Sequence, residues 1–473
     1  EILTCDWSSD VCSSDLVTAV KFSLGIFTRK AQEKDYLWRT LGYLPSPSKH
    51  KSRGKRIVKD LGHVDGAMAS TGQLEDEGIE RDATVNKAQD MHSMLEIILK
   101  SYIELQNTGF LWDLHYKKQV YKDVEFVLFT PFLKVDGKEA DKLCGKYLSR
   151  TKNVAQLCRY CECPTTDSDK PLHQIVPKRW RRIQALIERN DSNRLQELSQ
   201  HSLKNACYLL RFGSHNDQGV HSACPVEMLH ALHLGIFKYI RDCFFDKLGE
   251  KTKISENING LSQRFCDHIS QQSDRDFPIT RFASGIRKGK LMGQEYPGIL
   301  LCMAVVLQST KGRSLVMEKK RQHFRNPHLL RDWSQLVETL LQWERWLWSD
   351  TMEMRHVQRA RQKHRFIMYL IKKVAQRTKG MEFKITKFHQ IFHMANDIVN
   401  FGVHMETDTG TNKSGHKSTK KAACLTQRNE KTVDLQVAIC LEEVYLIDMA
   451  KREIDSHYTT SGPNMSESSV NQS

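Results

Sequence analysis

Apolar and polar residues alternate over residues 17–27 (VTAVKFSLGIF) and again over 36–44 (YLWRTLGYL), where Pro45 ends the run. A period of two, rich in β-branched and aromatic residues, predicts two strands, and their proximity in sequence makes them neighbours in one sheet. Residues 46–85 turn polar, first basic and then acidic over 73–82, which predicts a surface loop or disordered insertion. Between 86 and 108 the period changes. Met91, Met94, Leu95, Ile98, Tyr102 and Leu105 form a helical stripe that Gly109 stops. Residues 124–135 (VEFVLFTPFLKV) read as an apolar strand with a bulge or break at Pro131, delivering Asp136 at its end.

Helical periodicity dominates the rest. It covers 177–210, then 226–248, with Met228, Leu229, Leu232, Ile236, Tyr239 and Ile240 on one side, then 254–272, 296–309, 329–348, 352–378 and 384–401. Trp333, Trp343, Trp346 and Trp348 stripe one of these helices and are expected in the core. Residues 409–421 read as a Gly- and Lys-containing loop, 430–456 as a last helix, and the Ser/Asn-rich tail beyond Tyr458 as disordered. Strands first, then a long helical block, then one late helix, predict an α/β plus α chain: a mixed sheet interrupted by a large all-helical insertion. No apolar run approaches the length of a bilayer span and the first residues lack a secretory pattern, so no membrane partner is expected.

Charge adds a partner. Lys and Arg number 71 against 56 Asp and Glu, a net charge of +15, which favours a polyanion because each neutralised phosphate releases a counterion. The cations cluster at Lys51, Arg53, Lys55 and Arg56 and again at Lys178, Arg179, Arg181 and Arg182, the candidate nucleic-acid contacts. Thirteen cysteines without a secretory pattern read as reduced thiols or metal ligands rather than a disulfide framework. Residues 6–16 (DWSSDVCSSDL) match the translation of a common sequencing adapter at every position. Residues 1–16 are therefore set apart as an artefact, which removes Cys5 and Cys12 from the count and leaves the authentic sequence before Val17 missing.

Three features carry chemistry. Asp136 follows an apolar strand and precedes Gly137, the position where open α/β sheets place functional groups; in phosphoryl transfer such carboxylates hold divalent metals. Asp141 is a neighbouring alternative, and a solvated turn aspartate is the bland one. Cys158, Cys161 and Cys163 form CxxCxC, which points two thiolates at one tetrahedral ion, and zinc needs four ligands. His173 is the expected completer, with Cys144, His215, His221 and Cys224 also available; buried free thiols are the alternative, and a redox role lacks a thioredoxin-like context. His389 and His393 lie at i, i+4 on one helix face. The sequence offers no HExxH pattern there, so packed or capping histidines are the preferred reading over a metal pair.

Together these segments resemble the transposases of the CACTA-like and Kyakuja–Dileera–Zisupton (Plavaka-like) DNA transposons, over nearly the whole chain from Val17. VKFSLGIFTRK and WRTLGYLP resemble that group's second and third core strands, FLKVDGKEADKLCGKY followed by LCRYCECP its fourth-strand aspartate and CxxC knuckle, CPVEMLHALHLGIFKY its D-x-x-H segment, and KFHQIFHMANDIVNFG with TDTGTNKSGHK its final block. The resemblance implies an RNase H-like core over 17–240 with the knuckle, a helical insertion over 241–382, a C-terminal part of the core over 383–457 with the last helix, and a disordered tail over 458–473. It implies Mg²⁺-dependent cleavage and transfer of DNA at transposon ends, nuclear localisation and a homo-oligomer. By it, Asp136 is the second catalytic aspartate and a Mg²⁺ ligand, Glu227 stands where the D-x-x-H signature has Asp or Cys, and His230 keeps the histidine. Lys413 occupies the third acid's position, and the first aspartate's region is adapter sequence. A lysine there repels a divalent ion, so unless Glu406 or Asp408 substitutes, the expected activity is DNA binding without cleavage. A non-catalytic, zinc-stabilised nucleic-acid-binding or scaffold protein is the alternative.

Overall fold

The structure is a computed structural model that describes residues 2–5, 17–23, 39–45, 72–116, 119–147, 154–189, 191, 193–201, 216–248, 253–270, 291–317, 327–378, 380–409, 421–427 and 432–460, with single positions at 203, 209, 212, 282 and 286. Strands β1 (Ile2–Cys5), β2 (Val17–Ser23) and β3 (Arg39–Pro45) build a sheet with a distant strand, β6 (Leu133–Lys134), in the order β3-β2-β1-β6. Strand β2 runs antiparallel to both β1 and β3, with a bulge between Val20 and Lys21. Strand β1 runs parallel to β6, pairing Leu3 with Leu133 and Thr4 with Lys134. Strand β1 falls within the stretch set apart as an artefact, and residues 6–16 lie outside the described residues. One sequence expectation changes here. The apolar run 124–135 is not one strand: only Leu133 and Lys134 pair in this sheet, after the break that Pro131 foreshadowed.

Helix α1 (Gly72–Thr108) covers the sheet, starting earlier than its apolar stripe; its first part replaces the loop expected up to residue 85. Met91, Leu95, Leu99 and Tyr102, spaced on one face, are buried with Val20, Leu44, Leu133 and Val135. Gly109 ends the helix at φ 67°, a left-handed conformation that glycine adopts without steric cost. An isolated hairpin follows, β4 (Phe110–Tyr116) against β5 (Gln119–Phe126), whose Leu111, Trp112 and Tyr121 are exposed. Helix α2 (Gly137–Leu143) begins at Asp136 and buries Ala140 and Leu143 in the same core, joined by Ile183 and Leu186 of α3 (Trp180–Glu188) and Leu198 of α4 (Arg194–Gln200).

A second core is helical. After the one-turn α5 (Val220–Ala223), residues Leu229–Phe237 wind as a π-helix that runs into α6 (Lys238–Leu248). The wider coil keeps Leu232, Ile236 and Ile240 buried, so the expected apolar face survives the change of winding. Around it pack α7 (Lys253–Ser270), α8 (Tyr296–Gln308), α9 (Thr310–Val316), α10 (Pro327–Leu347) and α11 (Met354–Val374). Trp333 and Trp343 are fully buried at its centre, and Trp346 and Trp348 pack against it, as the sequence indicates. The knuckle cysteines and the buried apolar residues of 383–398 pack in this helical core. Helix α14 (Val433–Thr460) buries Val433 and Val437 in a separate cluster with Ala422. Among the described residues no single helix is long and apolar enough to cross a membrane.

Candidate metal centre

Few ladder bonds hold the segment after residue 154. An antiparallel bridge joins Cys161 to Pro177, the Glu162 amide donates to Val176 and the Lys178 amide to Tyr160. Between these the chain turns so tightly that the Tyr160 amide donates to Cys158 Sγ at 3.3 Å, which aims Cys158 and Cys161 to one side. Facing them, the helix expected over 384–401 is broken. Helix α12 (Thr386–His389) passes into a 3₁₀ turn, Gln390–Phe392, before α13 (Met394–Phe401). The tightened turn keeps His389 and His393 together, their Nε2 atoms 3.2 Å apart.

These four side chains converge. Cys158 Sγ lies 3.2 Å from His393 Nε2, and Cys161 Sγ lies 3.2 Å from His389 Nε2. All four are buried, and their donor atoms lie within 4.8 Å of one another. Tetrahedral zinc, with bonds of about 2.05 Å to nitrogen and about 2.3 Å to sulfur, sets N–N near about 3.3 Å and S–N near about 3.6 Å, so the group needs only a slight expansion to hold a metal ion. His389 Nδ1 donates to the Ser168 carbonyl at 2.8 Å, which leaves its Nε2 lone pair for the centre. Tyr160 stacks on His393 with centroids 4.7 Å apart.

The charges fit a cation. Burial pushes the Cys158 thiol up, but the Cys161 hydrogen bond and the two imidazoles outweigh it and hold Cys158 well below the usual thiol range. The bond to Cys158, with burial, pushes Cys161 up. Burial lowers His393; for His389 the neighbouring Cys158 overrides burial and raises it. Two sulfur and two imidazole donors thus share one buried enclosure, a donor set that suits a divalent cation.

The sequence picked two of these four candidate ligands. Cys163 and His173 instead form a second grouping with His389, whose two nitrogens already face Cys161 and Ser168. The preference for merely packed histidines at 389 and 393 is corrected by their convergence with the thiols. Cys144, buried near Val220 and Cys224, and His221 fall outside both groupings, and His215 lies outside the described residues.

The centre is tied to the carboxylate end of the sheet. Arg159, between the knuckle cysteines, is 1% exposed, reaches Asp141 on α2 at 3.6 Å and donates to the carbonyls of Cys224 and Pro225. Asp136 heads that helix as its N-cap, with Oδ1 accepting from the amides of Lys138 (2.9 Å) and Glu139 (3.0 Å). Among the described residues no grouping able to hold a metal includes Asp136, so its expected Mg²⁺ site has no geometric support. Beside it Glu139 is buried and, chiefly for that reason, pushed up to about 7 although Lys142 pairs with it at 2.7 Å.

Glu227 is a saturated cap. Oε1 accepts from the Leu229 amide and Thr409 Oγ1, and Oε2 from the amide and Nδ1 of His230. Burial raises its pKa, but these donors prevail and lower it. Both oxygens are committed, which argues against the catalytic assignment. Lys413 lies outside the described residues, while Asp408 is buried. Asp397, not singled out in the sequence, accepts from the Val226 amide at 2.7 Å and is pushed by burial up to about 7.

The basic clusters divide. Lys178 is fully buried with its ammonium on Gln156, so it cannot serve as a DNA contact. Arg182 makes two bonds to Glu162 (3.1 and 3.2 Å), while Arg179 and Arg181 are exposed, Arg181 lying over Trp180. Lys51, Arg53, Lys55 and Arg56 lie outside the described residues. The chain matches no protein-family profile and no curated protein.

Proposed function

We propose that this chain derives from a DDE/D-type DNA transposase of the CACTA-like and Kyakuja–Dileera–Zisupton group, and that it binds DNA through an RNase H-like scaffold braced by structural zinc without cutting it. The observation that carries the reading is the order of the family-like segments along one chain, with the antiparallel β2–β3 pair and with Asp136 just beyond β6, where a nuclease of this type holds an acid. Zinc suits two thiols and two imidazoles in a closed, buried tetrahedron, and there it would supply structural strength, not a reactive position. The expected lack of cleavage rests on Lys413 at the third acid's position.

The test is supercoiled plasmid incubated with protein in Mg²⁺ or Mn²⁺. The expected result is a mobility shift that weakens with salt and no nicked circles. Nicking that disappears in Asp136→Ala would overturn the inactivity, and an absent shift at low salt would overturn DNA binding. The buried Cys/His group by itself also favours a second reading, a zinc-stabilised scaffold protein, which predicts zinc without any DNA binding.

A further inference from the structure

We infer that the exposed face of α11 (Met354–Val374) is a DNA-binding surface that takes unpaired bases. The inference rests on the reading of the chain as a DNA-binding protein and assigns a face that the two sequence clusters do not include. The helix carries Lys or Arg at 355, 359, 361, 363, 365, 372 and 373 and no Asp or Glu. Its inner side is ordinary core: Val357, His364, Ile367, Met368 and Ile371 are buried. Its outer side is not. At about 100° per residue, positions 355, 359, 362, 365, 366, 369 and 373 fall within a stripe about 120° wide and about 27 Å long.

Part of the charge is neutralised within the chain. Arg355 pairs with Glu353, Lys372 with Asp169 and Lys373 with Asp332, and Arg361 donates to Asn396. Arg359 and Arg365 are exposed and have no anionic partner among the described residues. Between and beside them Phe366 (41% exposed) and Tyr369 (53% exposed) stack on each other, centroids 6.5 Å apart and planes 25° apart. Two unpaired guanidinium groups flanking a pair of half-exposed rings combine phosphate binding with a platform for bases. A duplex hides its base faces, so the rings select single-stranded DNA.

The test is fluorescence anisotropy of the full chain with a labelled single-stranded oligonucleotide and with its duplex, across a salt series. Arg359→Glu/Arg365→Glu is expected to weaken single-strand binding at least tenfold and to reduce the salt slope by about 1.4, the loss of two phosphate contacts. Phe366→Ala/Tyr369→Ala is expected to weaken single-strand binding and leave duplex binding unchanged. All four side chains are exposed, and thermal melts by circular dichroism check that both variants fold. If the unmodified chain binds DNA and the charge-reversed variant binds equally well, this face is the wrong one and only this inference falls. If the variant instead changes the oligomeric mass in light scattering without affecting DNA binding, the face belongs to a protein partner and the inference is equally overturned. If the unmodified chain binds no DNA of either form, the proposed function falls with it.

Discussion

Cys158 Sγ and His393 Nε2 stand 3.2 Å apart although 235 residues separate them in the chain. Between them lie α3 to α12, almost the whole helical block, so this contact closes one very long loop. A metal ion there would fix that closure by stronger bonds than packing provides, and it would fasten residues 386–401 onto the knuckle.

Metal removal is therefore expected to unfold the helical block. A strong chelator should lower the Tm by about 10 °C or more, as structural zinc sites contribute folding free energy directly. Readdition of zinc should restore the Tm, and His393→Ala should melt at the chelated temperature with or without zinc. Equal melting of the native chain with and without chelator would rule out a structural ion.

Arg159 is expected to be indispensable in isolation and replaceable together with its partner. Arg159→Met removes the buried cation that faces Asp141 and donates to the carbonyls of Cys224 and Pro225. Loss of one member of a buried ion pair costs about 3–5 kcal/mol, and Arg159→Met/Asp141→Leu should recover a large part of it. Urea denaturation of the two variants checks the difference; the same midpoint for both would contradict the coupling.

His364 sets an acid limit on stability. It is buried, its Nε2 accepts from Trp343 Nε1 at 3.1 Å, and burial, followed by the nearby His404, pushes its pKa down to about 3. A histidine at its ordinary pKa of 6.5 in the unfolded chain binds a proton that the folded chain refuses between pH 6.5 and 3. Stability from this group is complete above pH 6.5 and falls by about 1.4 kcal/mol per unit below it. His364→Gln, which keeps an acceptor for Trp343, should flatten the fall in denaturation midpoint between pH 6.5 and 4.5; an unchanged slope would assign the fall elsewhere.

Asp136 is expected to act on stability as a cap. Asp136→Ala should cost about 1 kcal/mol and Asp136→Asn almost nothing, because asparagine caps as well as aspartate. Thermal melts of both variants decide this, and equal losses would show that charge rather than capping matters at this position.

What the sequence disclosed follows the reach of its signals. The β2–β3 pair, the stripe on α1 and the buried Trp333 and Trp343 all rest on local periodicity, and the structure has them. The hairpin from Phe110 to Phe126 escaped notice because Asp113, Lys122, Asp123 and Glu125 break up its alternation and its apolar side chains have no core to face. Lys178 looked like a surface cation because a run of basic residues does not say which member turns inward. The centre was half legible. CxxC is a local spacing, but an i, i+4 histidine pair looks the same whether it packs or binds, and only the tertiary fold brings His389 and His393 to Cys158 and Cys161. The place of Ile2–Cys5 in the sheet was hidden for a different reason: four residues beside an adapter-like stretch carry no periodicity to weigh.

X-ray absorption at the zinc edge of the purified chain tests the centre most directly. The account predicts stoichiometric zinc bound by two sulfur and two nitrogen ligands, with Cys158, Cys161, His389 and His393 each needed for that spectrum. A three-sulfur shell that depends on Cys163, or protein that stays folded with no zinc at all, would contradict it.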